Sequence, residues 1–225
     1  MSKIGIVVAM DKEFALFEKL LDEKKDISSA GFKIMTGRMD NKKICLMTSG
    51  IGKVAAATGI NLLRSLYQPD MVVNSGVAGG LGENLKTGDV IAGTEYVYHD
   101  VDCGPGNEYG QVQGFPARFK ADARLLEAVS RQGIRSGLFC TGDQFISDPE
   151  QLKKIRKHFP EVQAVDMESA AMAQVCYIWN IPFLSLRIIS DTPGRHEDNL
   201  GQYYDFWKQA PEQNYELLRS LIPEL

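Results

Sequence analysis

An α/β fold, with a central mixed but largely parallel sheet flanked by helices, is what this sequence predicts, and three observations predict it. Short apolar runs rich in Val and Ile recur along the chain, at Ile4–Ala9, Ile44–Thr48, Met71–Asn74, Val90–Ala92 and Phe183–Ser190. Their apolar character is continuous rather than alternating, as expected of strands covered on both faces. Stretches with helical spacing of apolar residues lie between them. With 225 residues, no internal repeat and no Ser/Pro-rich linker, the chain reads as one domain over 1–225.

The first run has a single basic residue before it, and Asp11 and Glu13 follow at once, so it reads as a buried strand rather than a signal-peptide core. Asp11–Leu21 carries Phe14, Leu16, Phe17, Leu20 and Leu21 at helical spacing. Gly31–Arg38 and Lys42–Met47, joined by Met39-Asp40-Asn41, read as a hairpin with an Asp-Asn turn. Lys53–Leu66 opens an alanine-rich helix after Gly50-Ile51-Gly52, and further helices are expected over Ala121–Val129, Pro149–His158, Ser169–Trp179 and Glu212–Ile222. Asp100–Arg118 is the longest irregular stretch, and a loop that long in a compact domain is functional or disordered. A second runs from Thr192 to Asn199 and includes Arg195 and His196. Both follow predicted strands, at the end where α/β folds place ligand sites.

Composition narrows the function. A net charge of −4 gives no bulk attraction to nucleic acid or an anionic membrane, and no apolar run is long enough to span a bilayer. Cys45, Cys103, Cys140 and Cys176 form no CxxC, and no His stands at metal spacing; reduced thiols in a cytoplasmic protein are the expectation, with no metal.

Four segments carry chemistry. In Ala9-Met10-Asp11-Lys12-Glu13 a strand gives way to a helix, where Glu13 is either a functional carboxylate or one that gains from the helix dipole. Asn74-Ser75-Gly76-Val77-Ala78-Gly79-Gly80-Leu81 reads as a glycine-rich turn that lets the backbone approach a ligand. It has no GxGxxG, no P-loop Lys, no Arg and no hydroxyl at Val77, so it suits a sugar or a base better than phosphate. In Val165-Asp166-Met167-Glu168-Ser169, Asp166 is explained by an N-cap and Glu168 falls in the first helical turn, with function the stronger reading for Glu168. Arg187 interrupts an apolar strand that closes with Ser190-Asp191; a buried Arg needs a partner, in Glu168, Glu13 or a hydroxylated ligand.

Together, Met-Asp-Lys-Glu (10–13), Ser-Gly-Ile-Gly-Lys-Val-Ala-Ala-Ala (49–57), Val-Asp-Met-Glu-Ser-Ala-Ala (165–171) and Ile-Ser-Asp (189–191) resemble the nucleoside phosphorylase/nucleosidase superfamily. Within it the resemblance is to the family of 5′-methylthioadenosine/S-adenosylhomocysteine nucleosidases. It runs from Lys3 to about Phe206 and includes Tyr98–Asp102, Glu108–Gln111 and Thr141–Ile146. It implies a nucleoside phosphorylase-like α/β domain that hydrolyses the adenine–ribose bond without metal or organic cofactor. By this resemblance Asp191 is the general acid and Ser190 orients it. Glu168 binds the ribose hydroxyls beside the Met167 backbone, Glu13 holds and deprotonates the attacking water, and Arg187 helps to place it. Phe145 lies against adenine and the Ile146 backbone reads its edge, while Met10, Ile51, Ala78 and Gly79 face the ribose and its 5′ side. The family resemblance also implies a homodimer whose partner loop, around residues 103–116 and including Pro116, covers the 5′ subsite. Related phosphorylases bind phosphate through arginines and a Ser or Thr of the glycine-rich loop; Asn74 and Val77 stand there instead, which favours water as nucleophile. The alternatives are a hydrolase for another 5′-modified purine nucleoside such as aminodeoxyfutalosine, a purine nucleoside phosphorylase, and a nucleoside-binding module without turnover.

Overall fold

Residues 2–195, 198–208 and 219–225 are described by the structure, a computed structural model. The first apolar run forms β1 (Lys3–Val8), followed by α1 (Asp11–Glu18), β2 (Asp22–Asp26), β3 (Ile34–Met39) and β4 (Lys42–Thr48). Next come α2 (Lys53–Tyr67), β5 (Met71–Gly80), β6 (Val90–Tyr98), β7 (Phe119–Lys120), α3 (Ala123–Arg131) and β8 (Arg135–Thr141). The chain continues through α4 (Pro149–His158), β9 (Val162–Asp166), α5 (Ser169–Trp179), β10 (Phe183–Asp191) and α6 (Asn199–Lys208).

The sheet is mixed and partly closes on itself. β5 pairs in parallel with β10, β10 antiparallel with β6, and β6 and β9 flank β8 in parallel. The ring shuts where Gly79 and Gly80 of β5 meet Val165 and Ala164 of β9 in antiparallel register. From β5 the sheet extends through β1 and β4 in parallel, then through the antiparallel β3 and β2. Asp40, at positive φ, makes the turn of the expected hairpin.

Both faces are covered, which is why the central strands are apolar without alternation. Val7 packs on one side with Ile60 and Leu63 of α2 and Met172 of α5. Ile4, Ile6 and Val8 pack on the other with Phe14 and Phe17 of α1 and Leu125 and Val129 of α3. Cys45, Cys140 and Cys176 are buried free thiols, and Cys103 is exposed. Among the described residues no helix is long and apolar enough to cross a membrane.

Several expectations need correction. The stretch after Asn74 is not a glycine-rich turn: it is the second half of β5, and Gly76, Gly79 and Gly80 do not adopt positive φ. Their lack of side chains serves close packing instead, since a Cβ on Gly80 would stand 2.8 Å from Ile189, and one on Gly79 3.0 Å from Pro193 and Val165. The first helix stops at Glu18, short of Leu21. β2, β7, β8 and α6 have no counterpart in the sequence reading; Asn199, placed there in a loop, opens α6. His196 and most of the helix expected over Glu212–Ile222 lie outside the described residues.

Candidate functional site

Every residue expected at the site except Pro116 lines one cleft of about 280 Å³. It opens where β1, β5, β9 and β10 end, so strand ends and the helix starts that follow them supply its walls. Pro116 is half-buried in the long loop and does not reach the cleft of its own chain.

Arg187, in the middle of β10, is 1% exposed. Its principal partner is a residue that sequence reasoning set aside as a cap. Asp166 lies 2.7 Å from Nη2, closer than Glu168 at 3.4 Å. Asn74 Oδ1 accepts from the same nitrogen at 2.7 Å, and the Asn74 amide is oriented for this because its Nδ2 donates to Val7 O. Asp166 also accepts from Thr141 Oγ1 at 2.5 Å and from the Ser169 hydroxyl. Asp166 stands at the end of β9, while Glu168 rather than Asp166 occupies the N-cap position of α5. The available signal was chemical: a second acid beside an Arg that needed one.

Glu13 is fully buried in the first turn of α1. Its Oε2 accepts from the backbone N–H groups of Ala9 and Met10 at 3.0 and 2.9 Å, whereas Oε1 is buried with no protein partner. Burial pushes its carboxyl above the usual range, and Arg187 and the two N–H donors pull it back. A side chain on Gly76 would collide with the Arg187 guanidinium and stand 3.0 Å from Glu13 Oε1, so Gly76 is the gap through which the two approach.

Glu168 accepts from Gly52 N–H at 3.1 Å, and burial raises its carboxyl to about 7 against the pull of Arg187. The 50–53 loop that supplies Gly52 is latched from outside the cleft. Lys53 N–H donates to Asp143 at 2.7 Å, and Lys53 Nζ pairs with Asp100 at 2.7 Å.

Asp191 and Ser190 both face the cleft, although successive residues of a regular strand point to opposite sides. A bulge between Ile189 and Asp191, opposite Ala78 and Gly79, permits it. Burial raises the Asp191 carboxyl; the Ser190 hydroxyl at 2.7 Å and Asn199 at 3.3 Å oppose this.

The remaining wall is apolar. Phe145 is 40% exposed, and Tyr203 of α6 meets it edge-on at 5.8 Å between centroids. Leu200 and Tyr203 line the cleft and were missed by the sequence reading, along with Gln144 and Pro193. The helical spacing of Tyr203, Phe206 and Trp207 was the overlooked signal. Lys12 holds α6 in place, its ammonium 3.6 Å from the Trp207 ring centroid. Among the described residues no group of His, Cys, Asp or Glu side chains could hold a metal ion. The arrangement offers a carboxyl raised by burial, a second carboxyl with an unpartnered oxygen, and a flat apolar wall: the parts needed to split a small molecule with an aromatic half.

The family model of the phosphorylase superfamily matches residues 3–223. The 5′-methylthioadenosine/S-adenosylhomocysteine nucleosidase of Geobacillus thermodenitrificans is 40% identical over 98% of this chain and 96% of its own. The crystal structure of the nucleosidase of that description from Neisseria meningitidis, in complex with methylthio-immucillin-A, superposes with a TM-score of 0.94 at 36% identity, covering 100% of both chains. The one from Colwellia psychrerythraea, in complex with adenine, gives a TM-score of 0.93 at 35% identity over 100% of this chain and 96% of that one.

Gly76→Ala should displace the Arg187 guanidinium and cost about 1–3 kcal/mol, the usual penalty for overpacking, read as a fall in denaturation midpoint. Glu168 binds its proton more tightly folded than unfolded, so it favours the native state less as pH rises from its ordinary 4.5 through about 7. The Tm of Glu168→Gln, which cannot ionise, should therefore rise relative to wild type across that interval; a constant difference between the two proteins would contradict it.

Proposed function

The chain belongs to the phosphorylase superfamily, with the 5′-methylthioadenosine/S-adenosylhomocysteine nucleosidases, and we infer that it hydrolyses the N-glycosidic bond of these adenine nucleosides. The products are adenine and the 5′-thioribose. The observation that carries the mechanism is the placement of the buried carboxyls in one cleft: Asp191, its carboxyl raised by burial, stands at the end of β10, while Glu13 on α1 presents an unpartnered oxygen.

Adenine leaves poorly as an anion, so Asp191 gives its proton to N7 as the bond from C1′ to N9 breaks and its electron pair passes to the purine. The ribose becomes positive in the transition state. Glu168, held by Gly52 N–H, bonds the ribose hydroxyls and stabilises that charge more than it stabilises the neutral ground state. A water on Glu13 Oε1 attacks C1′ and yields its proton to Glu13, with Arg187 alongside to orient it. Phe145 stacks on the base and the Ile146 backbone bonds its edge. Met10, Ile51, Ala78, Gly79 and Met167 surround the sugar and its 5′ side.

Water rather than phosphate is the nucleophile. Arg187 is the cation that lines the cleft among the described residues, and Asp166 already neutralises it, so a phosphate dianion would have no free charged partner.

The active form is a homodimer. Ile51 just before α2, Val54 on α2 and Tyr177, Ile178 and Trp179 on α5 are exposed apolar side chains on two helices that pack together. Phe115 of the long loop lies 6.4 Å from Tyr177. A second copy covers these side chains, and the partner's loop around residues 103–116 closes the 5′ subsite.

In phosphate-free buffer the protein should release adenine from methylthioadenosine, with added phosphate giving no increase. Asp191→Asn should lower kcat by about 10²–10⁴-fold while retaining nucleoside binding; a rate dependent on phosphate would sink the hydrolase reading. Val54→Asp should yield monomers in sedimentation velocity and raise KM about tenfold, the cost of a lost apolar contact at the 5′ group.

A further inference from the structure

Asn199, the first residue of α6, is buried and its side chain lies between two functional segments. Its Nδ2 is 2.9 Å from the backbone oxygen of Ile146 and 3.3 Å from Oδ2 of Asp191. Both partners accept hydrogen bonds, which sets the amide with its nitrogen toward them. One NH₂ group thus serves both, a hydrogen to each.

We propose that Asn199 is a positioning residue for the proton transfer: it ties Asp191 to the backbone that reads the adenine edge, and it supports the carboxylate left when the proton has passed to N7. The proposal rests on the reading of Asp191 as the acid.

The purine is rigid, so N7 and the amino-bearing edge stand at a fixed separation. One side-chain amide hydrogen-bonded to both Ile146 and Asp191 sets the groups that recognise those two features at a matching separation before the ligand arrives. Chemistry points the same way. An amide N–H only donates, and a donor on a carboxyl oxygen favours the ionised form. Burial acts in the opposite sense on Asp191, and Asn199 shares with Ser190 the work of offsetting it. An acid held too far toward its protonated form gives up its proton poorly, so these donors, acting against burial, ease its release. The other titratable groups around Asp191 are Tyr203 on α6, Glu13 on α1, Asp166 at the end of β9, Glu168 before α5 and Arg187 on its own strand, all lining the cleft; the hydrogen bonds to its carboxyl come from Ser190 and Asn199.

The test is the pH profile of kcat/KM for methylthioadenosine hydrolysis in wild type, Asn199→Ala and Asn199→Leu. Thermal unfolding identifies the variants that fold, and the leucine variant keeps the volume while removing the donor. The alkaline limb should move up by about one pH unit, the size of a lost hydrogen bond to a charged group, and the plateau kcat should fall about tenfold. An unmoved limb in a folded variant overturns the proposal, because a merely structural residue would leave it in place. Asp191→Asn separates the two readings: if it keeps the wild-type alkaline limb, Asp191 is not the acid and the proposed mechanism fails. If it loses activity while Asn199→Ala keeps the limb unmoved, the mechanism stands and the role of Asn199 falls.

Discussion

A guanidinium does not lose its proton in a protein, so Arg187, 1% exposed inside β10, places a permanent positive charge in the middle of the fold that its surroundings must answer. Leaving such a charge without a partner would cost several kcal/mol. Asp166 answers it at 2.7 Å, with Asn74 and Ser169 completing the coordination of the same nitrogen. This commitment shapes the other acids. Because Arg187 is already neutralised, its pull on Glu13 and Glu168 is outweighed by burial, and both carboxyls sit above their ordinary range. One cation is thus shared among three buried acids, with Asp166 the nearest of them.

The sheet is built to let these groups meet. Arg187 lies on β10 and Glu13 on α1, with β5 between them, and the backbone of Gly76 is where they approach each other. Farther along β5, Gly79 and Gly80 let β9 close the ring, which brings Asp166 and Glu168 to the cleft. The bulge in β10 turns Ser190 and Asp191 to the same side. Close packing at three glycines and one irregular pairing therefore converge on the same cleft, and a side chain at any of these glycines would strain it.

The outer wall is of another kind. α6 lies against the cleft through Asn199, Leu200 and Tyr203, and the Lys12 ammonium over Trp207 ties it to the helix that carries Glu13. Glu13 and the aromatic wall thus share one anchor, so the position of α6 and the environment of Glu13 are not independent.

Much of this was legible in the residues, and the failures share a cause. Continuous apolar runs identified β1, β4 and β10, and helical spacing identified α2, α4 and α5, because burial on two faces and on one stripe are local patterns. Glu13, Glu168 and Asp191 stood out as charges at strand ends, and Arg187 as a charge inside an apolar strand. The sequence by itself determined those strands, those helices and the inventory of acids. Only the tertiary structure decided that Gly76 is strand rather than turn, that Asp166 rather than Glu168 is the main partner of Arg187, and that Asn199 bridges Ile146 and Asp191. Glycine permits a turn and a close approach equally, and only the facing atoms say which is used. Which of two acids pairs with a buried cation depends on the approach of residues far apart in the chain, and spacing along the sequence carries no record of that distance.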